Sequence, residues 1–390
     1  MKTVIPAKRA ARRAGTAGSS ELVAVPGLRC ASPGMTTKIT RRSAIASALA
    51  LTACSQGAKS QPAVTPPPPL RTLTPFPIGC CVQERWLHEP EYADLLGEQF
   101  SQLTAEWEMK MEYILREDGG FKFDRPDSIA SFAKARDMAL HGHALIWYAN
   151  ENDAFKRLDG RGKPFADAYR NYILAVVGRY RGQARSWDVV NEPIADDGER
   201  LRDCLWSRNL GVDDHIALAL EHAHEADPNA VLFLNDYHLE LKPNKRATFM
   251  RLIERLLKRG APLSGIGTQT HIDYDLPQGA VAEALRDLAS FGLPIHLSEL
   301  DISLGDHYLP ALPGDRVKRQ VAKYAEVAEA FMALPARQRF AFTIWGLRDD
   351  NTWLRGNSGQ RPKDQPLLFD EAGKAKATCR ALADVFGQRG

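Results

Sequence analysis

Cysteine is scarce in this chain, and its spacing excludes two common kinds of cysteine site. Six cysteines occur in 390 residues, and no two of them have the C-x-x-C spacing that is typical of zinc sites and thioredoxin-type redox sites. Cys80 and Cys81 are adjacent and would point to opposite faces of a strand, so we interpret them as core residues. The spacing leaves open whether Cys204 or Cys379 forms a disulfide.

An excess of basic charge is also missing once the N-terminal segment is set aside. Residues 1–54 carry nine Lys and Arg against one acid, Glu21, a balance of +8. The whole chain has 51 Lys and Arg and 48 Asp and Glu, so residues 55–390 keep 42 bases and 47 acids, a balance of −5. A mildly acidic body argues against nucleic acid as a partner.

Other signatures are absent as well. The apolar run at residues 44–53 is too short to span a bilayer. Residues 80–84 follow the first predicted strand and are not the glycine-rich phosphate turn of a dinucleotide-binding fold. No repeat occurs at solenoid spacing.

What precedes the body resembles an export leader. Arg41 and Arg42 come before the short apolar run, which ends in Leu51-Thr52-Ala53-Cys54. That ending resembles a bacterial lipoprotein cleavage box with Cys54 as the lipidated residue. We therefore expect an exported protein, periplasmic or at the cell surface, whose contact with a membrane is a lipid on Cys54. An ordinary signal peptide with a coincidental cysteine is the alternative.

Composition divides the chain into three parts. Residues 1–54 form the leader, in which Met35 is a candidate for the true start. Residues 55–71 turn to Ser, Gly, Gln and Ala and end in four prolines, which predicts a disordered, proline-rich linker. Residues 72–390 form the predicted folded domain.

The folded part alternates short apolar strands with amphipathic helices. Strands are predicted at Phe76–Val82, Ser101–Trp107, His143–Tyr148, Ser186–Glu192, Ala230–Tyr237, Gly265–Ile272, Pro294–Ile302 and Phe340–Leu347. The clearest helical patterns cover Phe165–Tyr180, Asp213–Ala226, Lys245–Arg259, Gln278–Phe291 and Arg316–Leu334. Eight strand-then-helix units in series indicate a single α/β domain, a (β/α)8 TIM barrel, because right-handed crossovers close such a sheet. An open doubly wound sheet is the alternative, but it requires the phosphate turn that is missing.

Polar and aromatic residues gather at the predicted strand ends, where a parallel barrel carries its chemistry. This set comprises Glu106, Lys110, His143, Trp147, Asn191, Glu192, Asn235, Asp236, Tyr237, Gln269, His271, Glu299, Asp301, Trp345 and Trp353. Side-chain alternation puts Gln269 and His271 on one face of the sixth strand. It puts Glu299 and Asp301 on one face of the seventh in the same way.

The fourth strand has a distinctive ending. Pro193 cannot continue a hydrogen-bonded ladder, so Glu192 falls at the C-terminal end of the strand. Alternation places Trp187, Val189 and Asn191 on one side of it.

The predicted mouth contains the groups that glycoside hydrolysis needs. Paired carboxylates in an aromatic-lined cleft perform this reaction: one donates a proton and needs a raised pKa, and the other stays ionised and attacks the anomeric carbon. His271 and Asp301 can keep Glu299 charged through hydrogen bonds, which predicts Glu299 as the nucleophile. Glu192, beside the neutral Asn191, is then the acid/base, and no metal or nucleotide cofactor is required.

The remaining mouth residues suit a sugar. Asn191 can hydrogen-bond a sugar 2-hydroxyl, an interaction that strengthens in the transition state. Trp147, Trp345 and Trp353 offer flat apolar faces to sugar rings.

Six short motifs, taken together and in this order, resemble one family. They are Trp187-Asp188-Val189-Val190-Asn191-Glu192, Leu234-Asn235-Asp236-Tyr237, Gly265-Ile266-Gly267-Thr268-Gln269-Thr270-His271, Ser298-Glu299-Leu300-Asp301, Thr343-Ile344-Trp345-Gly346 and Pro366-Leu367-Leu368-Phe369-Asp370. With them, residues 76–386 resemble the family 10 glycoside hydrolases, retaining endo-β-1,4-xylanases with a (β/α)8 barrel.

The resemblance implies the same roles for the residues at the mouth. Glu192 would be the acid/base and Glu299 the nucleophile, His271 and Asp301 would support Glu299, and Asn191 would meet the 2-hydroxyl. Residues implied to bind xylose on the non-reducing (glycone) side of the cut are Glu106, Lys110, His143, Trp147, Gln269, Trp345 and Trp353. Asn150 and Tyr237 complete the predicted substrate-binding set.

Two positions depart from the family pattern, and both lie on the glycone side. Trp107 stands where the family usually has Asn, so an indole N–H and a stacking face replace an amide. After Trp147 the family usually has His-Ser-Gln, whereas this chain has Tyr148-Ala149-Asn150. We expect the second glycone subsite to bind more weakly, or to suit a decorated xylose.

Two rival functions stay open from the sequence. A β-1,4-glucan-active enzyme, cellulase-like or aryl-cellobiosidase-like, would need room for a C6 hydroxymethyl group near Gln269 and Trp345. A non-catalytic surface protein that binds xylan would be expected to have lost a catalytic glutamate, and both are present. We expect a monomer whose partner is xylan or a xylo-oligosaccharide.

Overall fold

The computed structural model describes residues 67–305, 314–356 and 361–388. The predicted leader, its Cys54 and the linker up to residue 66 lie outside these residues. Packing begins near the start of the described part. The side chain of Leu70 is fully buried, and the Arg71 guanidinium donates to the carbonyl oxygen of Gly97 (2.6 Å). The packed body therefore begins about two residues before the predicted boundary at 72.

A closed barrel of eight parallel strands forms the centre of the domain, as predicted. The strands of the described residues are β1 (Ile78–Val82), β2 (Gln102–Ala105), β3 (Ala139–Gly142), β4 (Ile146–Trp147), β5 (Ala184–Asn191), β6 (Val231–Asp236), β7 (Gly265–Thr268), β8 (His271–Asp273), β9 (Ile295–Ser303) and β10 (Arg339–Ile344). The barrel order is β1-β2-β3-β5-β6-β7-β9-β10, and β10 pairs with β1 to close the ring. A closed ring excludes the open doubly wound alternative. The short β4 and β8 extend the mouth beside β5 and β9.

The third barrel strand lies earlier than predicted. The prediction was His143–Tyr148, but the strand that joins β2 to β5 is Ala139–Gly142. The prediction was placed too late because an apolar run follows His143. The true strand contains a polar residue, His141, and a glycine, Gly142, and so lacks a clear apolar pattern. Gly142 is required there, because a Cβ at this position would come within 2.0 Å of the Trp187 ring.

The sixth predicted strand is broken in two. Thr270 has a left-handed backbone with φ of 62°, which ends β7 before it and starts β8 after it. Gln269 and His271 therefore do not share one face of a continuous strand, as alternation had implied. Because L-residues with a β-branched side chain rarely adopt this conformation, a threonine gives no sequence signal for it.

A bulge changes which residues of β5 face the barrel interior. Asp188 pairs with Phe233 and Val190 with the next residue of β6, so Val189 is an extra residue in the ladder. Trp187 packs outward against Tyr180 at the end of a helix (ring centroids 6.1 Å apart). The predicted common side for Trp187, Val189 and Asn191 is therefore wrong, because a bulge shifts the alternation by one residue.

Helices surround the barrel. Those of the described residues are α1 (Pro90–Gln99), α2 (Met111–Ile114), α3 (Asp124–Ala135), α4 (Asp153–Lys156), α5 (Lys163–Arg179), α6 (Leu205–Leu210), α7 (Asp214–Ala226), α8 (Pro243–Arg259), α9 (Ala280–Ala289), α10 (Gly314–Met332) and α11 (Ala377–Gly387). All five predicted helices are confirmed within a few residues. Helix α8 has Pro243 in its first turn and a left-handed Gly260 after its last, the usual signals for a helix start and stop. Within the described ranges, none of the helices has the length and apolarity to cross a bilayer.

Two apolar regions hold the barrel together. The larger one includes helix residues such as Val176 of α5, Leu220 of α7 and Leu252 of α8, all fully buried. Burial of each side chain of this size contributes roughly 1.5–3 kcal/mol relative to exposure. A smaller cluster of Phe233, Phe340 and Ala341 joins β6 to β10, three strands further round the ring.

The cysteines of the described part are structural. Cys80, Cys81, Cys204 and Cys379 are all free and buried, which confirms the first two as core residues. Burial raises the pKa of the Cys379 thiol to about 12, so it stays protonated and unreactive at neutral pH.

Candidate active site

Asn235 links the strands that carry the two predicted catalytic glutamates. Its Nδ2 donates to Glu299 Oε1 (2.7 Å) and lies 3.0 Å from Asn191 Oδ1. Its Oδ1 accepts from Ser298 Oγ (2.7 Å). The sequence placed Asn235 at a strand end but gave it no role, because contacts among β5, β6 and β9 join residues far apart in the chain.

Glu299 is part of the predicted relay. It is buried on β9 and accepts a hydrogen bond from His271 Nε2 (3.1 Å). His271 Nδ1 lies 2.9 Å from Asp301 Oδ2, and the same oxygen accepts from Trp353 Nε1 (2.7 Å). The structure thus brings together four of the predicted site residues.

The electrostatics of this relay keep Glu299 ionised. Burial would favour the neutral form of both groups, but Asp301 and Glu299 together raise the pKa of His271 to about 10. Although burial also opposes the charged carboxylate, the nearby His143 and the hydrogen bond from His271 lower the pKa of Glu299 below its ordinary value. At neutral pH Glu299 is therefore a carboxylate that faces a protonated imidazole.

A second buried relay lies beside Glu299. His143 Nδ1 donates to Asp188 Oδ2 (2.8 Å) and lies 4.0 Å from Glu299 Oε1. His141 Nε2 is 3.0 Å from the same Asp188 oxygen. Burial opposes ionisation of Asp188, yet the two histidines lower its pKa below the ordinary value. Sequence reasoning missed Asp188 and His141, because the bulge at Val189 and the displaced third strand hid their inward orientation.

Glu192 has different surroundings. Its carboxylate accepts from Trp147 Nε1 (2.8 Å), Gln269 Nε2 (3.1 Å) and Asn191 Nδ2 (3.3 Å). All three donors are neutral, whereas Glu299 faces the cationic His271. This contrast is the physical difference between the two carboxylates.

The backbone that carries Glu192 is held in an unusual conformation. Glu192 has φ of 57°, which costs a non-glycine residue about 1–3 kcal/mol. Arg202 donates to the carbonyl oxygens of Glu192 (3.1 Å) and Ile194 (2.9 Å), and Asp236 Oδ2 accepts from the Ile194 N–H (2.9 Å). These bonds offset the strain and fix the direction of the Glu192 side chain.

The predicted glycone residues lie around this centre. The Trp345 ring meets the His143 ring edge-on, with centroids 5.2 Å apart. Glu106 accepts from Gln83 Nε2 (2.9 Å), and burial raises its pKa above the ordinary value. Lys110 Nζ lies 4.7 Å from the centroid of the Trp147 ring.

Two predicted substrate-binding residues are placed differently. The Tyr237 hydroxyl donates to Asp196 and accepts from Arg202 Nη2 (3.0 Å), so it belongs to the support of the Glu192 backbone. Asn150 is only 5% exposed, and its Oδ1 has no hydrogen-bond partner within the described residues. Contact of either residue with a sugar stays a prediction.

Comparison with known proteins identifies the family. The sequence profile of glycosyl hydrolase family 10 matches residues 72–385. The chain belongs to this family. An endo-1,4-beta-xylanase of Geobacillus stearothermophilus is 36% identical over 311 residues, covering 76% of this chain and 91% of that protein. Endo-1,4-beta-xylanase B of Paenibacillus barcinonensis is 34% identical over 307 residues, with the same coverage. The solved structure of a family 10 protein from Paenibacillus barcinonensis has a TM-score of 0.76 at 32% identity, covering 82% of this chain and 97% of that one.

One group of side chains in this family 10 barrel resembles a metal site. His143, Asp188 and Glu299 each offer a ligand atom within 4.8 Å of the others. Asp188 is already hydrogen-bonded to His143, and Glu299 accepts from Asn235 and His271. The relays around the two carboxylates account for this clustering in the described part of the chain.

His271→Asn should move the acidic limb of the activity profile to higher pH. Glu299 must be ionised to act as the predicted nucleophile, and the bond from protonated His271 helps to lower its pKa. Loss of that cation raises the pKa of Glu299, so activity is lost at a higher pH as the solution is acidified, by about one pH unit. The measurement is kcat/KM on a soluble xylan from pH 3 to 8.

A matched control for this variant is His224→Asn, which alters an exposed histidine of α7. It should leave the profile unchanged. An acidic limb that stays in place in His271→Asn, even with a reduced maximum, would contradict the role given to His271.

Proposed function

We propose that this chain hydrolyses internal β-1,4-xylosidic bonds of xylan with retention of anomeric configuration. The observation that carries the proposal is the contrast between its two mouth carboxylates. Glu299 accepts from the cationic His271 and from Asn235, while Glu192 accepts only neutral N–H groups among the described residues. A charged nucleophile and a proton-exchanging acid need these two environments.

In the first step Glu299 attacks the anomeric carbon of the sugar. Glu192 transfers its proton to the glycosidic oxygen as the C–O bond breaks, so the leaving chain departs as a neutral alcohol. The product on the enzyme is a glycosyl ester of Glu299. Asn235 and His271 hold the carboxylate of Glu299 in place, which lowers the entropic cost of the attack.

In the second step the ionised Glu192 takes a proton from water. The resulting hydroxide oxygen bonds to the anomeric carbon, and the ester bond to Glu299 breaks. Glu192 is protonated again and Glu299 is again a carboxylate, so the enzyme returns to its starting state. Two displacements at one carbon retain its configuration.

Substrate class is supported by the relatives and by the aromatic residues at the mouth. Two of the similar proteins are named endo-1,4-beta-xylanases, and Trp345 and Trp353 border the relay of Glu299. The test is reducing-sugar release by residues 67–390 on glucuronoxylan, arabinoxylan and carboxymethyl-cellulose. We expect release from the xylans. Release mainly from carboxymethyl-cellulose would overturn the substrate and favour the glucan-active alternative.

We also propose that the protein is exported and that Cys54 carries a lipid. The support is the leader sequence alone, in which Arg41 and Arg42 precede an apolar run that ends in Leu51-Thr52-Ala53-Cys54. Mass spectrometry of the mature N-terminus should find a diacylglyceryl group on Cys54. A mature N-terminus at another residue would contradict it.

A further inference from the structure

A row of aromatic side chains leads away from Glu192 on the glycone side. Trp147 donates its indole N–H to Glu192 Oε2 (2.8 Å). Lys110 Nζ lies between two indole rings, 4.7 Å from the centroid of Trp147 and 4.4 Å from that of Trp107. The Tyr113 ring follows, with its centroid 6.3 Å from that of Trp107. The row therefore runs through the glycone positions of the family resemblance, which include Trp107, and continues past them to Tyr113.

The row ends at a groove in the surface. Tyr113 lines a cavity of about 550 Å³, a size within the usual range of ligand sites, about 300–1,000 Å³. Its walls come from residues 112–122, which follow β2, and from residues 151–153, which follow β4. Asn152 Nδ2 donates to the Leu115 carbonyl oxygen (2.7 Å) and joins the two walls. This hydrogen bond holds the two walls of the groove together, and the contact between the Tyr113 and Trp107 rings connects the groove to the aromatic row.

The lining of the groove suits a neutral sugar. Tyr113 is 40% exposed and offers a face for stacking on a sugar ring. Charged side chains in the lining can bond sugar hydroxyls, and they are Glu112, Glu117, Glu151, Asp153, Arg116 and Lys122. Four acids against two bases give a balance of −2, which opposes binding of an anionic substituent such as a glucuronate.

We propose that Tyr113 and this groove, which extend the row beyond Trp107 of the second glycone subsite, form a distal glycone site that binds the third and later xylose residues on the non-reducing side of the cut. The site rests on the proposed xylanase function and extends it. Trp107 stands where the family resemblance predicts Asn, so the aromatic row is a feature of this chain and not of the family pattern. The site would select long, neutral or arabinose-substituted segments over short or glucuronate-bearing ones.

Chain-length dependence tests the site in the unaltered protein. We expect kcat/KM to rise from xylotetraose to xylohexaose, and xylohexaose labelled at its reducing end to be cut with at least three sugars on the non-reducing side. Tyr113→Ala should lower the ratio of kcat/KM for xylohexaose to that for xylotriose by about fivefold. Tyr113→Phe keeps the ring and should keep the ratio.

A control variant and the choice of substrates distinguish failure of the distal site from failure of the xylanase function. Val212→Ala changes an apolar residue that is 52% exposed and outside the groove, and it should keep the ratio. Equal kcat/KM for xylotetraose and xylohexaose in the unaltered protein, or an equal ratio in Tyr113→Ala, would overturn the distal site while the xylanase function stands. No cleavage of any xylo-oligosaccharide or xylan would overturn both.

Discussion

Glu299→Gln is expected to lower kcat on xylan by about 10⁴-fold or more, because an amide cannot form the glycosyl ester. The change keeps the size of the side chain, and Oε1 can still accept the hydrogen bond from Asn235 that now measures 2.7 Å. His271 loses one of its two negative partners and becomes easier to deprotonate, although Asp301, 2.9 Å away, remains and still raises its pKa. Fold and substrate binding should therefore survive while the chemical step fails.

The measurement pairs kinetics with trapping of the intermediate. A 2-fluoro-xylobioside with a good leaving group slows breakdown of the ester, so intact-protein mass spectrometry should find one sugar adduct on the unaltered enzyme and none on Glu299→Gln. Glu254→Gln, at an exposed position on α8, is the matched control and should retain both activity and adduct. An adduct on Glu299→Gln would assign the nucleophile to another residue.

The barrel, and the position of the two predicted glutamates at its mouth, could be predicted because they depend on local signals. Buried apolar residues recur along the chain with the period of a strand or of a helix, and this period can be read from the sequence. Such periods locate the strands that carry both residues: Glu192 directly follows β5, and Glu299 lies within β9, four residues before its end. The structure confirms the predicted barrel because most of its strands and helices keep this regular alternation.

What could not be predicted involves breaks in that regularity. The bulge at Val189 and the left-handed Thr270 each alter the inward face of a strand, and neither residue type signals such a change. The third strand was misplaced because its inward residue, His141, is polar. Its partner Ser186 Oγ, 2.7 Å away, lies on another strand, so the pair could not be identified before the folded barrel was known.

The support of Glu192 was hidden for a related reason. Arg202 lies in the loop after β5, and its bonds to two backbone carbonyl oxygens involve no side-chain pattern that a sequence displays. Lys245 was hidden as well, because it lies on α8 and its fully buried ammonium group pairs with Asp236 of β6 (2.7 Å), a residue of a different element. A loop arginine such as Arg202 is ordinary in composition and acquires its role only through the strained backbone that it holds.

Glu192→Ala is expected to reduce kcat/KM on xylan by about 10²–10⁴-fold, the usual contribution of a general acid. An aryl xylobioside with dinitrophenolate as the leaving group should lose far less in the first step, because that anion departs without a proton. The second step should then become limiting, since no base remains to deprotonate water. Rapid-quench kinetics should find a burst of dinitrophenolate followed by slow turnover.

Added azide distinguishes loss of the acid/base role of Glu192 from misfolding of the Glu192→Ala variant. The azide anion attacks the glycosyl ester without needing a base, so added azide should restore turnover of the aryl substrate by Glu192→Ala and yield a β-xylobiosyl azide. A variant that is merely misfolded would show neither the burst nor the rescue.

Glu106 is another acid at the mouth that could donate a proton. It is 5% exposed, at the mouth end of β2, and burial raises its pKa above the ordinary value, so electrostatics alone would favour it as the acid. Its carboxylate is held by Gln83, 2.9 Å away, and the family resemblance implies that it contacts a sugar on the glycone side. Glu106→Gln should therefore raise KM on both xylan and the aryl substrate, without azide rescue. Azide rescue of Glu106→Gln, together with none in Glu192→Ala, would transfer the acid/base role from Glu192 to Glu106.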